Sequence, residues 1–362
     1  MDADIARASQ AGDIEYFQHQ LKNDVCKRKI IDYFHPKSGD TVVHYASRNG
    51  HVRLLQHFAV EGFSLEITNF DGKRPLHEAA HAGQNACVTY LLSAGVVVDP
   101  LKRADWTPLM LACSKVDLYV VQELVNHGAN LKLKNKDGWN CFHVAVREGN
   151  LDIIAYLLDC DSTLWDTVSL NGRSPLHTAA LHGHVGVVRY LLEACHYVTD
   201  TQDSCGSTPL MDAVREDSIG CMELLIHMHC ADVFKVDNLG RQCVHVACQT
   251  GSLNSLVCLV ETHRADQGIH ISPSGAMCLH IAAKEGHVNV ISYLLQKKVN
   301  IDAQDSKGRT ALHIAAGAQK ADCVRVLLKH GASIMEDQTG STPKQLALKP
   351  EVTQIFEHLE KT

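Results

Sequence analysis

The fold is decided by residues 72–80, Gly72-Lys73-Arg74-Pro75-Leu76-His77-Glu78-Ala79-Ala80, because variants of this stretch recur along the chain. The Pro-Leu-His core, or a close substitute, occurs nine times at intervals of 33 to 35 residues. A glycine or its substitute lies three residues before each core. These positions are Gly39, Gly72, Asp105, Gly138, Gly172, Gly206, Gly240, Gly275 and Gly308. Such a period indicates a repeat architecture rather than a set of independent domains.

Each part of the repeat has a physical role in a pair of helices. Proline is tolerated in the first turn of a helix because its missing N–H has no partner there, and a preceding Thr or Ser can cap that helix. A second glycine, such as Gly83, supplies the left-handed residue that ends the first helix. Apolar residues such as Leu91 and Leu92 form the buried side of the second helix. Because one pair cannot bury its apolar face alone, the sequence predicts an all-α repeat solenoid.

The period and the Pro-Leu-His core resemble the ankyrin repeat. The resemblance implies paired antiparallel helices joined by short β-hairpin or loop fingers. It predicts one domain over residues 1–362, with capping helices in 1–36, nine repeats in 37–336 and a C-terminal cap in 337–362. The core histidines, such as His177, are expected to bond the backbone or the capping hydroxyl where two repeats meet.

The composition excludes several classes of protein. Lys plus Arg number 34 and Asp plus Glu 41, a formal net charge of −7, so the chain as a whole is not a basic nucleic-acid binder. No apolar run approaches the roughly 20 residues that a membrane span needs. The fourteen cysteines lack the paired spacing of zinc sites, which favours reduced thiols. The sequence therefore predicts a cytoplasmic monomer, with the nucleus as a second location.

One stretch imitates a catalytic site. His77-Glu78-Ala79-Ala80-His81 matches the H-E-x-x-H motif of zinc hydrolases. The simpler interpretation places His77 in the repeat core and His81 at the surface, and no third zinc ligand can be assigned. His182-Gly183-His184 and His227-Met228-His229-Cys230 are likewise interpreted as repeat positions. We therefore predict a protein that is not an enzyme, with no catalytic residues, no metal and no cofactor.

The resemblance also implies a binding face, formed by the hairpin tips and the exposed side of each first helix. The corresponding positions carry thirteen basic and six acidic residues, although the chain is acidic overall. The basic residues are Lys37, Arg48, Lys73, Arg103, Lys115, Lys136, Arg147, Arg173, Arg215, Arg241, Lys284, Lys307 and Arg309. This reversal of charge predicts an acidic partner surface, and a generally solvated polar face is the alternative.

The three tryptophans are candidates for contact with that partner. Trp106 and Trp139 each follow the first glycine position of their repeat, and Trp165 lies in the next hairpin segment. Exposed Trp beside basic residues is typical of an interface anchor, although Trp can also brace a hairpin. The other predicted partner-binding residues are Arg103, Lys115, Lys136, Arg147 and Arg173.

A closer resemblance, to one member of the family, implies a specific partner. It implies a non-enzymatic co-factor that binds alanyl-tRNA synthetase at its catalytic region and helps to prevent serine mischarging, without contacting nucleic acid itself. An unprotonated lysine could then accept an activated amino acid, and surface solubility is the alternative role. The candidate acceptors are Lys102, Lys132, Lys134 and Lys136. The alternative function is an adaptor or scaffold for another acidic-surfaced partner.

Repeats three and six depart from the pattern together. Each has Met in place of the core His, at Met110 and Met211, and each lacks the second glycine, at Val116 and Asp217. In an array where each repeat contacts only its neighbours, these two repeats are predicted to be local weak points.

Overall fold

A computed structural model describes residues 2–265 and 277–359 of the chain. Within these ranges it contains 23 α-helices, one short 3-10 turn and no extended strand, which confirms the predicted all-α repeat class. The chain divides into two compact units, Met1–Leu170 and Asn171–Thr362. Gly275 and residues 360–362 of the predicted cap lie outside the described ranges. No helix within those ranges is both long and apolar enough for a membrane span.

The first unit begins with three helices that precede the repeats, α1 (Asp2–Ala11), α2 (Ile14–Gln20) and α3 (Asp24–Ile31). Four helix pairs follow and correspond to repeats one to four. They are α4 (Val42–Arg48) with α5 (Val52–Val60), α6 (Pro75–His81) with α7 (Asn85–Ser93), α8 (Pro108–Lys115) with α9 (Leu118–Asn126), and α10 (Cys141–Glu148) with α11 (Leu151–Cys160). The buried Phe17 of α2 packs edge-on against Phe58 of α5, with ring centres 4.9 Å apart, so the leading helices cover apolar surface of the first repeat.

The second unit contains repeats five to nine and a final pair of helices. They are α12 (Pro175–Leu181) with α13 (Val185–Ala194), α14 (Pro209–Arg215) with α15 (Ile219–His229), α16 (Cys243–Thr250) with α17 (Leu253–Glu261), α18 (Cys278–Glu285) with α19 (Val288–Gln296), α20 (Ala311–Gly317) with α21 (Ala321–Lys329), and α22 (Pro343–Leu346) with α23 (Pro350–Leu359). Val352 and Phe356 of α23 are buried, so this last helix contributes to the core of the unit.

The core histidine connects a regular repeat to the next one. In repeat five, Ser174 Oγ lies 2.9 Å from His177 Nδ1, and His177 Nε2 lies 3.1 Å from the carbonyl oxygen of Ser207. Burial lowers the pKa of His177 to about 4, so the imidazole is neutral and its Nε2–H donates to Ser207. Equivalent contacts join His44 to Lys73, His77 to Trp106, His280 to Arg309 and His313 to Ser341. The expected role of the core histidine is confirmed.

Neighbouring hairpins are joined by single backbone hydrogen bonds rather than by strand ladders. Seven such bonds, 2.7 to 3.1 Å long, recur at equivalent positions in the described ranges. They run from Phe70 N to Ser38 O, Arg103 N to Asp71 O, Lys136 N to Ala104 O and Leu170 N to Asp137 O in the first unit, and from Ser204 N to Asn171 O, Asn238 N to Cys205 O and Gln338 N to Lys307 O in the second. The fingers in the described ranges are therefore loops, with one isolated β-bridge between Lys102 and Trp106.

The two irregular repeats keep the backbone of the regular ones. Val116 and Asp217 replace the second glycine, yet both are left-handed, with φ of 63° and 55°. A β-branched residue is strained in this conformation, whereas Asp tolerates it better. Met110 and Met211 are buried, but a thioether cannot donate the hydrogen bond of the core histidine. The irregular sequence therefore changes the bonds between repeats and leaves the path of the chain intact.

Candidate protein-binding surface

Trp106 and Trp139 lie in two hairpins of the first unit that are joined by a backbone hydrogen bond. Both side chains are half-buried, whereas the sequence suggested full exposure. Lys102 Nζ lies 5.5 Å from the centre of the Trp106 ring, and the Arg147 guanidinium lies 5.6 Å from the centre of the Trp139 ring. Each indole is therefore held by a cation of its own unit, and part of its surface stays exposed.

Trp139 makes a further aromatic contact. Trp139 stacks on His143, with ring centres 5.9 Å apart and 24° between the planes, which fixes the orientation of the indole. Trp165 is half-buried in the turn that follows α11. Its part in binding stays a prediction.

Three of the predicted basic contact residues are accessible. The Arg103 side chain is 82% exposed, and its guanidinium lies 3.6 Å from Asp71, a long ion pair that a partner could displace. Lys115 and Lys136 are exposed and form no ion pair with any residue in the described ranges. Arg103 and Lys136 place positive charge in the hairpins that hold the tryptophans, and Lys115 places it at the end of α8.

The other two predicted contact residues are engaged within the protein. The Arg147 guanidinium lies 2.5 Å from Glu148 as well as over Trp139. Arg173 belongs to the second unit, where its guanidinium contacts Asp203 at 3.1 Å and Asp212 at 2.9 Å and its side chain is only 23% exposed. The prediction that Arg173 faces a partner is therefore not supported, because its charge is already neutralised by buried carboxylates.

The sequence overestimated the positive charge of the predicted face. Nine of its thirteen basic residues form ion pairs, and five of their acidic partners stand at positions that the sequence count omitted. The nine are Arg48, Lys73, Arg103, Arg147, Arg173, Arg215, Arg241, Lys284 and Arg309, and the five are Glu78, Asp203, Asp212, Asp237 and Asp305. Including these five leaves thirteen basic against eleven acidic residues. The excess of basic over acidic residues on the predicted face is therefore small.

The four candidate acceptor lysines have different environments. Lys132 and Lys134 line a pocket of about 400 Å³; Lys132 Nζ lies 2.9 Å from Asp161, and Lys134 Nζ donates to the carbonyl oxygen of Val168. Lys136 is exposed at its hairpin tip. Burial, helped by the charge of nearby Lys73, lowers the pKa of Lys102.

Residues of the H-E-x-x-H motif form contacts between neighbouring repeats. His77 is buried, and its Nε2 lies 3.2 Å from the carbonyl oxygen of Trp106, while burial lowers its pKa to about 4. Glu78 is buried between the cations of Arg48 and Lys73. His81 is half-buried. Since Glu78 is held by two cations, this stretch has no free general base and the interpretation as a chance motif stands.

Sequence reasoning missed one polar cluster in the second unit, formed by Glu223, His227, Cys258 and His263. The four-residue spacing of Glu223 and His227 on a helix was an available signal. The two other members come from the following repeat, which spacing along the chain does not reveal. His229, considered with His227 as a chelating pair, instead has its Nε2 3.1 Å from the carbonyl oxygen of Tyr197.

Comparisons with known proteins agree with the repeat seen in the structure. A family model described as ankyrin repeats, in three copies, matches residues 5–103, 96–167, 159–237, 228–305, 244–338 and 279–359. The human B-cell lymphoma 3 protein is 30% identical over 168 residues, 44% of this chain and 36% of that protein. Human SH3 and multiple ankyrin repeat domains protein 2 is 28% identical over 151 residues, 40% of this chain and 8% of that protein.

A third relative, an L-asparaginase of Dirofilaria immitis, is 26% identical over 158 residues, 44% of this chain and 26% of that protein. This chain thus spans between 8% and 36% of the length of the three relatives. Their names therefore describe proteins of which only a part is matched, and the name asparaginase is no evidence of activity here.

Proposed function

Because this chain belongs to the ankyrin repeat family, whose members are generally non-enzymatic modules of protein–protein interaction, we propose that it binds a partner through the hairpins around Trp106 and Trp139. The observation that carries the proposal is the pair of half-buried indoles, each beside a cation. Aromatic anchors of this kind supply much of the binding energy of interfaces. The exposed Lys115 and Lys136 add positive charge, which suits an acidic docking surface.

The partner that we propose is alanyl-tRNA synthetase, bound at its catalytic region. This identity rests on resemblance alone: the length, the cap sequences and the order of irregular repeats resemble ankyrin repeat domain-containing protein 16. The resemblance implies a co-factor that helps to prevent serine mischarging. An adaptor or scaffold for another protein with an acidic surface is the alternative, and the same hairpins would serve it.

A lysine of this surface is proposed as acceptor of wrongly activated serine. The neutral amine would attack the carbonyl carbon of the seryl adenylate, form an amide, lose one proton and release AMP. The candidates are Lys102, Lys132, Lys134 and Lys136, and the lowered pKa of Lys102 favours its neutral amine. Mass spectrometry after incubation with synthetase, ATP and serine tests the idea, and the absence of acylation at all four lysines would end it.

The binding surface is tested by Trp106→Ala combined with Trp139→Ala. This double variant should abolish binding to the synthetase, because truncating a buried interface tryptophan typically costs ~2–4 kcal/mol. Isothermal titration calorimetry with both full-length proteins measures the affinity. Phe70→Ala is the matched control, since Phe70 is an exposed aromatic residue, 65% accessible, in another hairpin of the same unit.

Two further measurements complete the test. Lys115→Glu with Lys136→Glu should weaken binding most at low salt, because exposed charges act mainly on association. Circular dichroism and melting of every variant should stay near wild type. A folded double-tryptophan variant that keeps its affinity would place the interface elsewhere, whereas a wild-type chain that does not bind the synthetase would favour the adaptor function.

A further inference from the structure

The junction between repeats six and seven lacks the bond that connects regular repeats of the second unit. His177 Nε2 faces the carbonyl oxygen of Ser207, and His280 Nε2 faces that of Arg309. The buried Met211 of repeat six has no N–H to donate. At this junction the second helices, α15 and α17, contact each other and bring polar side chains together.

Glu223 of α15 is the centre of that contact. Its Oε2 lies 2.8 Å from His227 Nε2, one turn further along the same helix. Its Oε1 lies 2.9 Å from His263 Nε2 and 3.0 Å from Cys258 Sγ. One ligand atom each of Glu223, His227 and His263 lies within 4.8 Å of the others. Glu223 therefore contacts two imidazoles and a thiol that come from two repeats, and its carboxylate and the two imidazoles form the compact part of the cluster.

We propose that Glu223, His227, Cys258 and His263 bind a zinc ion that joins repeat six to repeat seven. Zinc in structural sites takes four ligands in a tetrahedron, with bonds of roughly 2.0–2.3 Å to nitrogen, oxygen and sulfur. Ligand atoms of such a site are then separated by roughly 3.3–3.6 Å. In the bound state the contacts of 2.8 to 3.0 Å around Glu223 would lengthen to these values, and Cys258 Sγ would move towards the two imidazoles.

The chemistry of the ligand set selects the metal. Imidazole and thiolate favour zinc, whereas magnesium and calcium take oxygen ligands and would find one carboxylate here. Both imidazoles present Nε2, one of the two nitrogen atoms through which histidine binds metals. The thiol of Cys258 is half-buried and forms no disulfide within the described ranges, so it can supply the fourth ligand by giving up its proton to solvent when the metal binds.

The positions of the ligands fit a site that is both ordered and accessible. Glu223 and His227 share one face of α15, while Cys258 lies in α17 and His263 follows its end. The side chain of His263 is 10% exposed, that of Glu223 31% and that of His227 67%. An ion can therefore enter from solvent past His227 and reach ligands that packing already orients.

The bound ion would replace the missing connection of the irregular repeat. It would tie α15 of repeat six to the end of α17 in repeat seven, where Met211 leaves no imidazole bond. Because a metal bound only by the folded state stabilises that state, zinc should raise the melting temperature of the second unit.

Cobalt(II) provides the test, because it occupies tetrahedral zinc sites and its absorption reports the ligands. The reduced full-length chain should bind one Co²⁺ with the strong visible absorption of tetrahedral coordination and a near-ultraviolet thiolate charge-transfer band, both removed by added Zn²⁺. His263→Gln and Glu223→Gln should weaken binding at least tenfold. Cys258→Ser should lose the charge-transfer band.

The matched control is His330→Gln, which removes a histidine that follows the second helix of another repeat, α21, and should leave the cobalt spectrum unchanged. Zinc should raise the melting temperature of the wild type and of His330→Gln but not of His263→Gln. A wild-type chain without a tetrahedral cobalt spectrum, or the same spectrum in His263→Gln and Cys258→Ser, would show that the cluster is held by hydrogen bonds alone and would overturn the proposal.

Discussion

Glu78 in the first unit and Asp212 in the second occupy the same position of their helices, directly after the core residue of repeats two and six. Both carboxylates are buried, with 1% and 0% of their area exposed, and each has two cationic neighbours. The pKa of Glu78 is nevertheless lowered and the pKa of Asp212 is raised. Equivalent repeat positions thus hold acids of opposite electrostatic character.

The contacts of Glu78 explain its low pKa. Arg48 Nε lies 2.8 Å from Oε2, and Lys73 Nζ lies 3.2 Å from Oε1, so each oxygen faces a cation. Burial acts to raise the pKa of Glu78, but the hydrogen bond from Arg48 and the charges of Arg48 and Lys73 outweigh it. The ionised form is therefore the stable one inside the protein.

Asp212 has two arginines on one oxygen. Arg173 and Arg215 contact Oδ1 at 2.9 and 2.5 Å, while the buried Oδ2 has no hydrogen-bond partner in the described part of the chain. Burial raises the pKa of Asp212 to about 6 despite both arginines, and the charge of Asp203 adds to the rise. Two cations thus outweigh burial at Glu78, whereas burial and the charge of Asp203 outweigh two arginines on one oxygen at Asp212.

The largest expected difference is in the free energy of unfolding at pH 7 when each of the two acids is replaced by its amide. Glu78→Gln should lower the free energy of unfolding by about 3 kcal/mol, because it leaves cations beside a buried neutral group. Asp212→Asn should lower it by only about 1 kcal/mol, because burial already opposes the ionised form. Urea unfolding followed by circular dichroism measures both, with the exposed Glu193→Gln as control. Equal losses would refute the explanation by geometry.

The pH dependence of stability should separate the same two acids. The pKa of Asp212 rises from 3.8 to about 6 on folding, so its contribution is full below pH 3.8 and is lost as the pH rises through 6. The lowered pKa of Glu78 acts in the opposite sense: its contribution is present above pH 4.5 and is lost as the pH falls below that value.

Relative to Asp212→Asn, the wild type should therefore lose about 2 kcal/mol of stability between about pH 4 and pH 8. Denaturant titrations of both proteins at several pH values give this difference, in which the other titrating groups cancel. A difference that stays constant with pH would mean that Asp212 does not titrate in this range.

The smallest expected changes in stability concern the left-handed residues of the two irregular repeats, Val116 and Asp217. Val116→Gly in the first unit should stabilise by about 0.5–1 kcal/mol, because glycine relieves the crowding of a β-branched residue there. Asp217→Gly in the second unit should destabilise by about 1 kcal/mol, because Asp217 accepts hydrogen bonds from Ser255 N and Asn254 Nδ2. Melting temperatures that move in the same direction would contradict this assignment.

The helices and their ends could be predicted because the signals are local. Ser174 and His177 are three residues apart, so a sequence pattern is enough to predict that they meet at the helix start. Val116 supports this rule as well, because the repeat imposes the left-handed turn even at a residue that disfavours it. Local spacing therefore fixed the fold class and the role of the core histidines.

The charges of the site could not be predicted, because their partners lie one repeat away. Arg173 and Asp212 are 39 residues apart, and Glu223 and His263 are 40 apart, so each pairing depends on how stacked helices align. A count of exposed positions treats Arg173 as a free cation, although it lies between two carboxylates. The contacts of Trp139 have a different origin, since Arg147 and His143 reach it from α10 of its own repeat.

The hydrogen bonds of the core histidines can form only in a fixed order while the chain is synthesised. In five repeats the imidazole meets a carbonyl oxygen that lies 28 to 30 residues further along the sequence, as in His177 with Ser207 and His313 with Ser341. On the ribosome the acceptor emerges after the donor, so a newly made repeat carries a polar group that only its successor can satisfy. In the second unit the last acceptor of this kind is the carbonyl oxygen of Ser341. A nascent chain released before Ser341 would leave the imidazole of His313 without its acceptor.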